Sequence, residues 1–325
     1  MKLATKKTQN PDGQLYLVSR DLKTMVSVPD IAPSLRYALD YWDKAAPQLE
    51  STYQQLNLGL CRQAESFIPD TLTAPLPRAT QWLDGSAYVN HVELARKARG
   101  AEMPESFWTD PLMYQGISDQ LLGPTEPITG KEAWGVDFEA ELAVITGDVP
   151  QGCPAEEAQQ HIRLITLCND ISLRNLVAAE LAKGFGFLQS KPASAFGPVA
   201  VTPDEIQPHW QDGKLHLPVT VQLNDQPFGS PDCGTDMVFS FHQLIAHAAK
   251  TRKLGSGTII GSGTISNTNK SKGSCCLVEK RMLEIIEFGE AKTPWLKTGD
   301  KVNIEIKDHK GESIWGGIEQ TVTLD

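Results

Sequence analysis

The alternation of hydrophobic and polar residues predicts a small first region. Residues 12–28 alternate around a turn, which is typical of a β-hairpin, and residues 34–56 place apolar side chains at mostly helical spacing. The segment 69–79 then contains three prolines in eleven residues, as connectors between domains often do. We therefore divide the chain into a small N-terminal α/β region, residues 1–75, and a larger domain, residues 76–325.

The larger domain is dominated by predicted strands. β-rich segments with Gly, Asp or Asn at their turns cover 136–147, 161–173, 215–225 and 301–324, whereas helical patterns cover 154–162, 174–182 and 237–253. Strands outnumber helices and do not alternate regularly with them. The pattern favours an α+β fold that is predominantly β, with a mixed or barrel-like sheet and peripheral helices, over a doubly wound sheet.

Composition and charge exclude several classes of protein. Hydrophobic residues make up 40% and charged residues 22% of the 325 residues, as in ordinary globular domains. The net charge of −10 and the absence of a long Lys/Arg run argue against nucleic-acid binding. The sequence contains no apolar stretch of membrane-spanning length, and its six scattered cysteines include no CxxC pair. We expect a cytoplasmic protein with reduced thiols and without a membrane or nucleic-acid partner.

Two acidic residues interrupt the strongest apolar strand. In a strand over 137–145, Glu139 and Glu141 point the same way, about 6–7 Å apart. Like charges are unfavourable together inside a protein unless something neutralises them, and a divalent cation with oxygen ligands does so. The alternative is a strand whose acidic face is solvated.

A third carboxylate ends the next apolar run. Asp170 follows the strand-like residues 162–168, where an unpaired carboxylate is costly. The sequence leaves two possible partners for Asp170. Asp170 either forms a buried ion pair with Arg174, or it is a third oxygen ligand of the same cation.

These motifs together resemble the fumarylacetoacetate hydrolase family. Glu139-x-Glu141 is followed by Asn169-Asp170-x-Ser172-x-Arg174, by Ser190-Lys191 and by the glycine-rich run 261–266, in the family's order. The resemblance extends over about residues 80–325, with a smaller region ahead of it. It implies a mixed β-roll with a metal ion at its mouth, in a protein that is usually a homodimer.

The resemblance also implies roles for individual residues. Glu139, Glu141 and Asp170 fall on the family's metal-binding carboxylates, and Asn90 on a position that commonly provides a fourth ligand. Lys191 matches a lysine that faces the substrate beside the metal. The residues expected to bind substrate are Tyr114, Arg174 and Thr264.

The resemblance implies a histidine as general base. His91 is the candidate, and Glu93 is its expected orienting partner, although relatives place that glutamate one residue later. The alternative is a histidine that only packs or pairs locally.

The activity implied by the resemblance is metal-dependent hydrolysis of a carbon–carbon bond in a β-diketone acid. Fumarylacetoacetate is the expected substrate, cleaved to fumarate and acetoacetate in tyrosine and phenylalanine breakdown. Alternatives with the same site are acylpyruvate hydrolysis, oxaloacetate decarboxylation, and hydration or isomerisation of 2-oxo-enoic diacids. A further alternative is a metal-binding relative without catalysis. We expect Mg²⁺ as the cofactor, while oxygen ligands also admit Mn²⁺ or Ca²⁺.

Overall fold

Strands run through the whole length of the molecule. The structure is a computed structural model that describes residues 1–98, 100 and 102–325. Its strands are β1 (Lys2–Lys6), β2 (Gln14–Val18), β3 (Thr24–Ser27), β4 (Glu65–Ser66), β5 (Gln81–Gly85), β6 (Met113–Gly116), β7 (Ile128–Gly130), β8 (Val136–Asp137), β9 (Ala140–Thr146), β10 (Ile162–Asn169), β11 (Ser172–Leu173), β12 (Ala195–Phe196), β13 (Ala200–Val201), β14 (Trp210–Gln211), β15 (Lys214–Leu215), β16 (Val219–Leu223), β17 (Gln226–Gly229), β18 (Thr258–Gly261), β19 (Lys301–Ile306) and β20 (Ile318–Leu324).

The helices lie between the strands without regular alternation. They are α1 (Leu35–Asp40), α2 (Trp42–Asn57), α3 (Val89–Lys97), α4 (Ala155–Ala158), α5 (Arg174–Leu181), α6 (Phe241–Ala249) and α7 (Leu277–Phe288). Single 3₁₀ turns cover Pro69–Thr71, Glu105–Trp108, Glu132–Trp134, Gln159–His161, Pro203–Ile206 and Lys270–Lys272. This arrangement confirms the predicted α+β class.

One large mixed sheet connects both parts of the chain. Its strand order is β4-β3-β2-β1-β13-β10-β9-β18-β5-β6, with β12 also paired to β10. The path is open among the described residues, ending at β4 and β6, so the sheet is not a closed barrel. Most pairs are antiparallel, and the β18–β5 pair is parallel. Because β1 pairs with β13, the N-terminal strands extend the sheet of the larger domain.

A second sheet packs beside the first. It has the order β17-β16-β19-β20-β7, in which β16, β19 and β20 form antiparallel pairs. Along β19 and β20, buried and more exposed residues alternate, as expected for a sheet with one face on the core. Trp315, fully buried, joins the two sheets by donating its indole N–H to the Ile165 carbonyl at 2.8 Å.

The core divides into two hydrophobic clusters on the two faces of β9 and β10. Leu142 and Val144 belong to the larger cluster, whereas Ala143 and Ile145 belong to the cluster that includes helices α1 and α2. The period-2 alternation of a strand separates these pairs. The small N-terminal region therefore covers one face of the sheet, and the same alternation places Glu141, two residues before Ala143, and Asp84, two residues after Trp82, on that face.

The predicted elements correspond closely to the observed ones. The hairpin over 12–28 is β2 and β3, and the helical segment over 34–56 is α1 and α2, broken at Tyr41. Helices α3 and α7 were not predicted from the sequence. In the part of the chain that the structure describes, no helix combines the length and apolarity needed to cross a membrane.

Candidate active site

Strand register brings the acidic residues together at one end of neighbouring strands in the large sheet. Asp84 on β5 lies opposite Tyr114 on β6 and opposite Gly261 on β18. Gly261 in turn lies opposite Ala143 on β9, two residues after Glu141. Strand β10 pairs with the other side of β9 and ends one residue before Asp170. Side chains from β5, β6, β9 and the end of β10 thus converge.

Two glycines create the space for this convergence. A Cβ atom at Gly261 would lie 2.4 Å from an oxygen of Asp84, so any side chain there would displace the carboxylate. Gly263 has a φ of +74°, and a Cβ there would meet the Gly85 carbonyl oxygen at 2.3 Å. Its backbone N–H donates to Asp84 Oδ1 at 3.1 Å. The repeated glycines of the 255–265 segment therefore have a steric role beside Asp84.

Three buried carboxylates form an oxygen-only cluster. One oxygen each from Asp84, Glu141 and Asp170 lies within 4.8 Å of the others. Among the described residues, neither oxygen of Glu141 has a hydrogen-bond partner, although both are inaccessible to solvent. Burial raises the pKa of Glu141 well above its usual value, and the neighbouring Asp84 and Asp170 raise it further. Burial, followed by the charge of Asp170, likewise raises the pKa of Asp84.

This cluster fits a hard divalent cation. Mg²⁺ and Ca²⁺ bind oxygens at about 2.0–2.6 Å, so ligands of one ion lie at most about 4–5 Å apart, as these oxygens do. An unpartnered buried carboxylate is costly unless a cation or a proton neutralises it. Both oxygens of Glu141 lack a hydrogen-bond donor among the described residues and can therefore bind a cation, and Asp84 and Asp170 lie on either side of Glu141. We name Asp84, Glu141 and Asp170 the carboxylate cluster.

Glu139 lies in a different environment from the carboxylate cluster. Its Oε1 accepts from Arg174, and its Oε2 accepts from Lys191 Nζ at 2.6 Å. Burial alone would raise the pKa of Glu139, but Arg174 and Lys191 outweigh it and hold that pKa well below its usual value. Arg174 also donates to Asp137 at 2.8 Å. These four residues form the ion-paired group.

Lys191 connects the two sets. Its Nζ donates to Asp170 Oδ2 at 2.5 Å as well as to Glu139. Tyr114 donates its hydroxyl to the two Asp170 oxygens at 2.9 and 2.8 Å, and Ser194 donates to Oδ1 at 2.6 Å. The cation beside Asp170 is therefore Lys191. The ion pair with Arg174, which was the sequence alternative, is not formed.

A histidine and a glutamate face each other beside the ion-paired group. His91 Nδ1 lies 2.8 Å from Glu279 Oε2, and Glu279 is almost fully buried at the start of α7. With Glu279 ionised and the imidazole neutral, this contact has the proton on Nδ1 and leaves Nε2 with a lone pair. His91 is also within 4.8 Å of Glu139 and Cys276, atom to atom.

A cavity of about 160 Å³ connects these groups. It is bounded by Asp84 from the carboxylate cluster, by Glu139, Arg174 and Lys191 from the ion-paired group, and by His91. Tyr114 and Phe187, whose rings meet edge to face at 5.6 Å, and Thr264 complete the wall. A small organic acid entering this cavity would meet two cations, a histidine and, from the carboxylate cluster, Asp84.

The structure brings most of the predicted site residues together. Those that line the cavity or belong to the carboxylate cluster are His91, Tyr114, Glu139, Glu141, Asp170, Arg174, Lys191 and Thr264. Their proposed roles remain predictions. Glu139, expected as a metal ligand, is paired with Arg174 and Lys191 in this structure, and Asp84, which was not expected, lies with Glu141 and Asp170.

Two predicted residues lie elsewhere. Asn90, on α3, donates its amide to the Ser266 hydroxyl at 2.6 Å and lies outside the carboxylate cluster, and its role as a fourth ligand stays a prediction. Glu93 is exposed on the same helix, and the carboxylate that contacts His91 is Glu279. Two residues along a helix turn the side chain by about 200°, so Glu93 lies on a different face of α3 from His91, whereas α7 brings Glu279 from a distant part of the chain.

Sequence reasoning missed Asp84 and Glu279. Asp84 had a usable signal, because a lone carboxylate ends the apolar strand residues Trp82 and Leu83, as Asp170 ends β10. Glu279 had none, since an acidic residue in the first turn of a helix is ordinary. Only the folded structure places it opposite His91.

Comparisons with known proteins identify the family of the chain. Residues 80–323 match the family described as fumarylacetoacetate (FAA) hydrolase C-terminal, and residues 1–78 match fumarylacetoacetase N-terminal domain 2. Oxaloacetate tautomerase YisK of Bacillus subtilis is 28% identical over 239 residues, covering 72% of this chain and 69% of that protein. The 2,4-didehydro-3-deoxy-L-rhamnonate hydrolase of Sphingomonas sp. is 28% identical over 206 residues, 60% of this chain and 69% of the relative.

Solved structures share the whole fold. Maleylpyruvate hydrolase from Sphingobium sp. SYK-6, in complex with manganese(II) and pyruvate, matches with a TM-score of 0.66 at 17% identity, covering 100% of this chain and 99% of that one. Fumarylacetoacetate hydrolase from Exiguobacterium antarcticum matches with a TM-score of 0.67 at 16% identity, covering 100% of both chains. The family match covers most of the chain. The protein belongs to the fumarylacetoacetate hydrolase family of enzymes.

Proposed function

We propose that this protein hydrolyses a carbon–carbon bond of a small dioxo acid with the help of a divalent cation. The observation that carries the proposal is the His91–Glu279 contact at 2.8 Å, at the wall of a cavity that also borders the carboxylate cluster. A base and a cation site facing one cavity are what attack of water on a carbonyl requires.

The carboxylate cluster supplies the ligands for the cation. In this proposal Asp84, Glu141 and Asp170 hold it, with Tyr114 and Ser194 orienting Asp170 by their hydroxyl groups. When bound, a divalent cation supplies Lewis acidity toward the carbonyl oxygens of the substrate. We expect Mg²⁺ or Mn²⁺, because an all-oxygen ligand set suits both.

His91 is the general base of the proposed reaction. Glu279 fixes the tautomer in which Nδ1 carries the proton, so Nε2 accepts a proton from water. Water oxygen then bonds to the carbonyl carbon, the adjacent carbon–carbon bond breaks, and its electron pair stays on the departing carbon. Protonation of that carbon completes the cleavage, with one water consumed.

Lys191 and Arg174 supply fixed positive charge. Both side chains are held by carboxylates, which keeps them ionised and limits their motion. Positive charge already in place where oxyanion charge develops is among the largest contributions to catalysis. Arg174 and Thr264 at the cavity wall are the groups that would bind a substrate carboxylate.

Fumarylacetoacetate is the first substrate to test. Support comes from the match of residues 1–78 to the N-terminal domain of fumarylacetoacetase and from Tyr114 at the cavity wall. The 26% identity to fumarylacetoacetase of Caenorhabditis elegans, over 52% of this chain and 47% of that protein, points the same way.

A second candidate is keto–enol interconversion of oxaloacetate. It is favoured by the similarity to YisK and to human oxaloacetate tautomerase FAHD2B, which is 26% identical over 55% of this chain and 54% of that protein. Tautomerisation moves one proton between carbon and oxygen and needs no attacking water. The same base and cation site therefore suffice.

A substrate panel tests both candidates. Purified protein with Mg²⁺ or Mn²⁺ would be assayed on fumarylacetoacetate, an acylpyruvate and oxaloacetate, alongside His91→Asn. We expect turnover of a dioxo acid, lowered about 100-fold or more in the variant, as loss of a general base does. Cation binding without turnover of any of these substrates would overturn the enzymatic proposal, and turnover of oxaloacetate alone would select the tautomerase.

A further inference from the structure

The carboxylate of Glu180 is saturated with hydrogen bonds from a single downstream segment. Glu180 is buried on α5 and accepts the backbone N–H groups of Leu188, Gln189 and Ser190 at 2.7–3.1 Å. It also accepts the Ser190 hydroxyl at 2.5 Å. Burial would raise the pKa of Glu180, but the Ser190 hydroxyl and the backbone N–H groups outweigh it and lower that pKa to about 2. The carboxylate is therefore ionised near neutral pH.

The two segments that Glu180 joins, helix α5 and residues 188–190, each lie next to or begin with a residue of the candidate active site. Helix α5 begins at Arg174, and Lys191 directly follows Ser190. The Ser190 carbonyl accepts the N–H of Leu173 at 2.8 Å, one residue before Arg174. Glu180 and Leu173 thus hold Ser190 by its amide, its hydroxyl and its carbonyl, immediately before the lysine.

The chain between the helix and Ser190 provides little support of its own. Gly184 and Gly186 have φ angles of +76° and +99°, and Phe185 between them is fully exposed. No atom of the described residues lies within 4 Å of a Cβ built at either glycine. Phe187 packs on Tyr114, and Ser194 on the other side of Lys191 is held by Leu122 and Trp82. Directly before Lys191, the backbone position depends on what fixes residues 188–190.

We propose that Glu180 is a positioning residue that holds Lys191 against Glu139 and Asp170. This inference deepens the proposed function, because it concerns the charge that Lys191 supplies there. A lysine side chain is long and flexible, so a fixed backbone narrows the positions open to its Nζ and favours the one 2.5–2.6 Å from both carboxylates. Glu180 fixes that backbone without contacting the cavity itself.

The molecule contains a matched control. Glu284 on α7 is similarly buried and accepts the N–H groups of Lys292 and Thr293 at 2.7 and 2.8 Å and the Thr293 hydroxyl at 2.6 Å. The segment that it holds contributes no residue to the cavity wall. Glu284 therefore reproduces the hydrogen bonding of Glu180 without its connection to Lys191.

The test compares Glu180→Gln with Glu284→Gln in the full-length protein with its divalent cation. An amide keeps the size of the side chain but has one acceptor oxygen, so each variant leaves backbone donors unpaired. We expect similar falls in melting temperature. Only Glu180→Gln should lower kcat, by up to about 100-fold for a displacement near 1 Å, with KM little changed.

A second measurement does not depend on turnover. The rate at which acetic anhydride acetylates Lys191, followed by mass spectrometry, should rise several-fold in Glu180→Gln and stay at the wild-type value in Glu284→Gln. If the wild type turns over no substrate, the proposed function fails while this rate still tests the role of Glu180.

If Glu180→Gln does not fold, a second pair of variants with smaller changes provides the test. Ser190→Ala and Thr293→Val each remove one hydroxyl donor, from Glu180 and Glu284 respectively, and only Ser190→Ala should change the acetylation rate of Lys191 and kcat. Equal kcat values and equal acetylation rates within each pair would overturn the proposal.

Discussion

Glu139 and Glu141 lie two residues apart and are both buried, yet their surroundings are opposite. Arg174 and Lys191 contact Glu139 and hold its pKa low, whereas Glu141 has no hydrogen-bond donor among the described residues and its pKa is raised, first by burial and then by Asp84 and Asp170. The carboxylate of Glu139 is neutralised by Arg174 and Lys191. The carboxylate of Glu141 has no such partner among the described residues, and we propose that a divalent cation neutralises it.

The two glutamates of the E-x-E pattern therefore belong to two different groups of side chains, which the sequence pattern alone does not distinguish. The ion-paired group fixes two cations at the cavity wall, and the carboxylate cluster offers oxygens to a divalent ion. Four variants probe the contrast, and they are ordered by the expected size of their effects.

Glu141→Gln should have the largest effect on turnover. Removing a charged ligand from the carboxylate cluster removes the Lewis acid, and several kcal/mol of stabilisation corresponds to a loss of about 1,000-fold or more. Steady-state assays with saturating Mg²⁺ or Mn²⁺ measure it. Wild-type kcat in this variant would show that Glu141 has no part in the reaction.

Stability without a divalent cation should move in opposite directions for the two glutamates. Glu139→Gln weakens charged hydrogen bonds to Arg174 and Lys191, which contribute about 1.5–3 kcal/mol each, so unfolding should become easier. Glu141→Gln removes an unpartnered buried carboxylate and should leave stability unchanged or raised. Urea unfolding in EDTA at neutral pH measures both. The contrast between the two residues is lost if both variants destabilise the protein equally.

Glu279→Gln should lower kcat by about 10- to 100-fold, as removal of a carboxylate that orients a histidine does in metal sites. The amide no longer holds the Nδ1 proton of His91 as firmly. Glu93→Gln is the matched control, because Glu93 is exposed on α3, and its kcat should equal that of the wild type. A larger loss in Glu93→Gln than in Glu279→Gln would restore the partner expected from the sequence.

Tyr114→Phe should have the smallest effect. The phenol hydroxyl donates to Asp170, and losing one such bond costs about 1 kcal/mol, equivalent to about fivefold in cation affinity. Titration of the variant with Mn²⁺ measures the change. A loss of all binding would make Tyr114 part of the cation site itself.

Most of the fold could be predicted because its strands have strong signals. The apolar runs of β9 and β10 and the alternation of β19 are local properties of the sequence, and the structure contains strands at those places. Helix α3 was missed because few of its residues are strongly apolar, whereas α7, with seven apolar residues among its twelve, carried a helical signal that was overlooked. The joining of the N-terminal strands to β13 depends on pairing across about 200 residues, which no local pattern reports.

The site was predictable only in part, for the same reason. Glu141 and Asp170 interrupt apolar strands, and an ionisable residue in such a place is conspicuous. Strand register and the turn before Lys191 determine which basic side chain contacts which carboxylate. For that reason the sequence did not show that Glu139 pairs with Arg174 and Lys191, and it overlooked Asp84, which is connected to Glu141 through β18.

Equilibrium binding of Mn²⁺, followed by calorimetry at neutral pH, tests the central claim most directly. The account predicts one tight site per chain in the wild type, its loss in both Asp84→Asn and Glu141→Gln, and its retention in Asn90→Ala. Unchanged binding in Asp84→Asn and Glu141→Gln, or loss of binding in Asn90→Ala, would contradict the assignment of the cation to Asp84, Glu141 and Asp170.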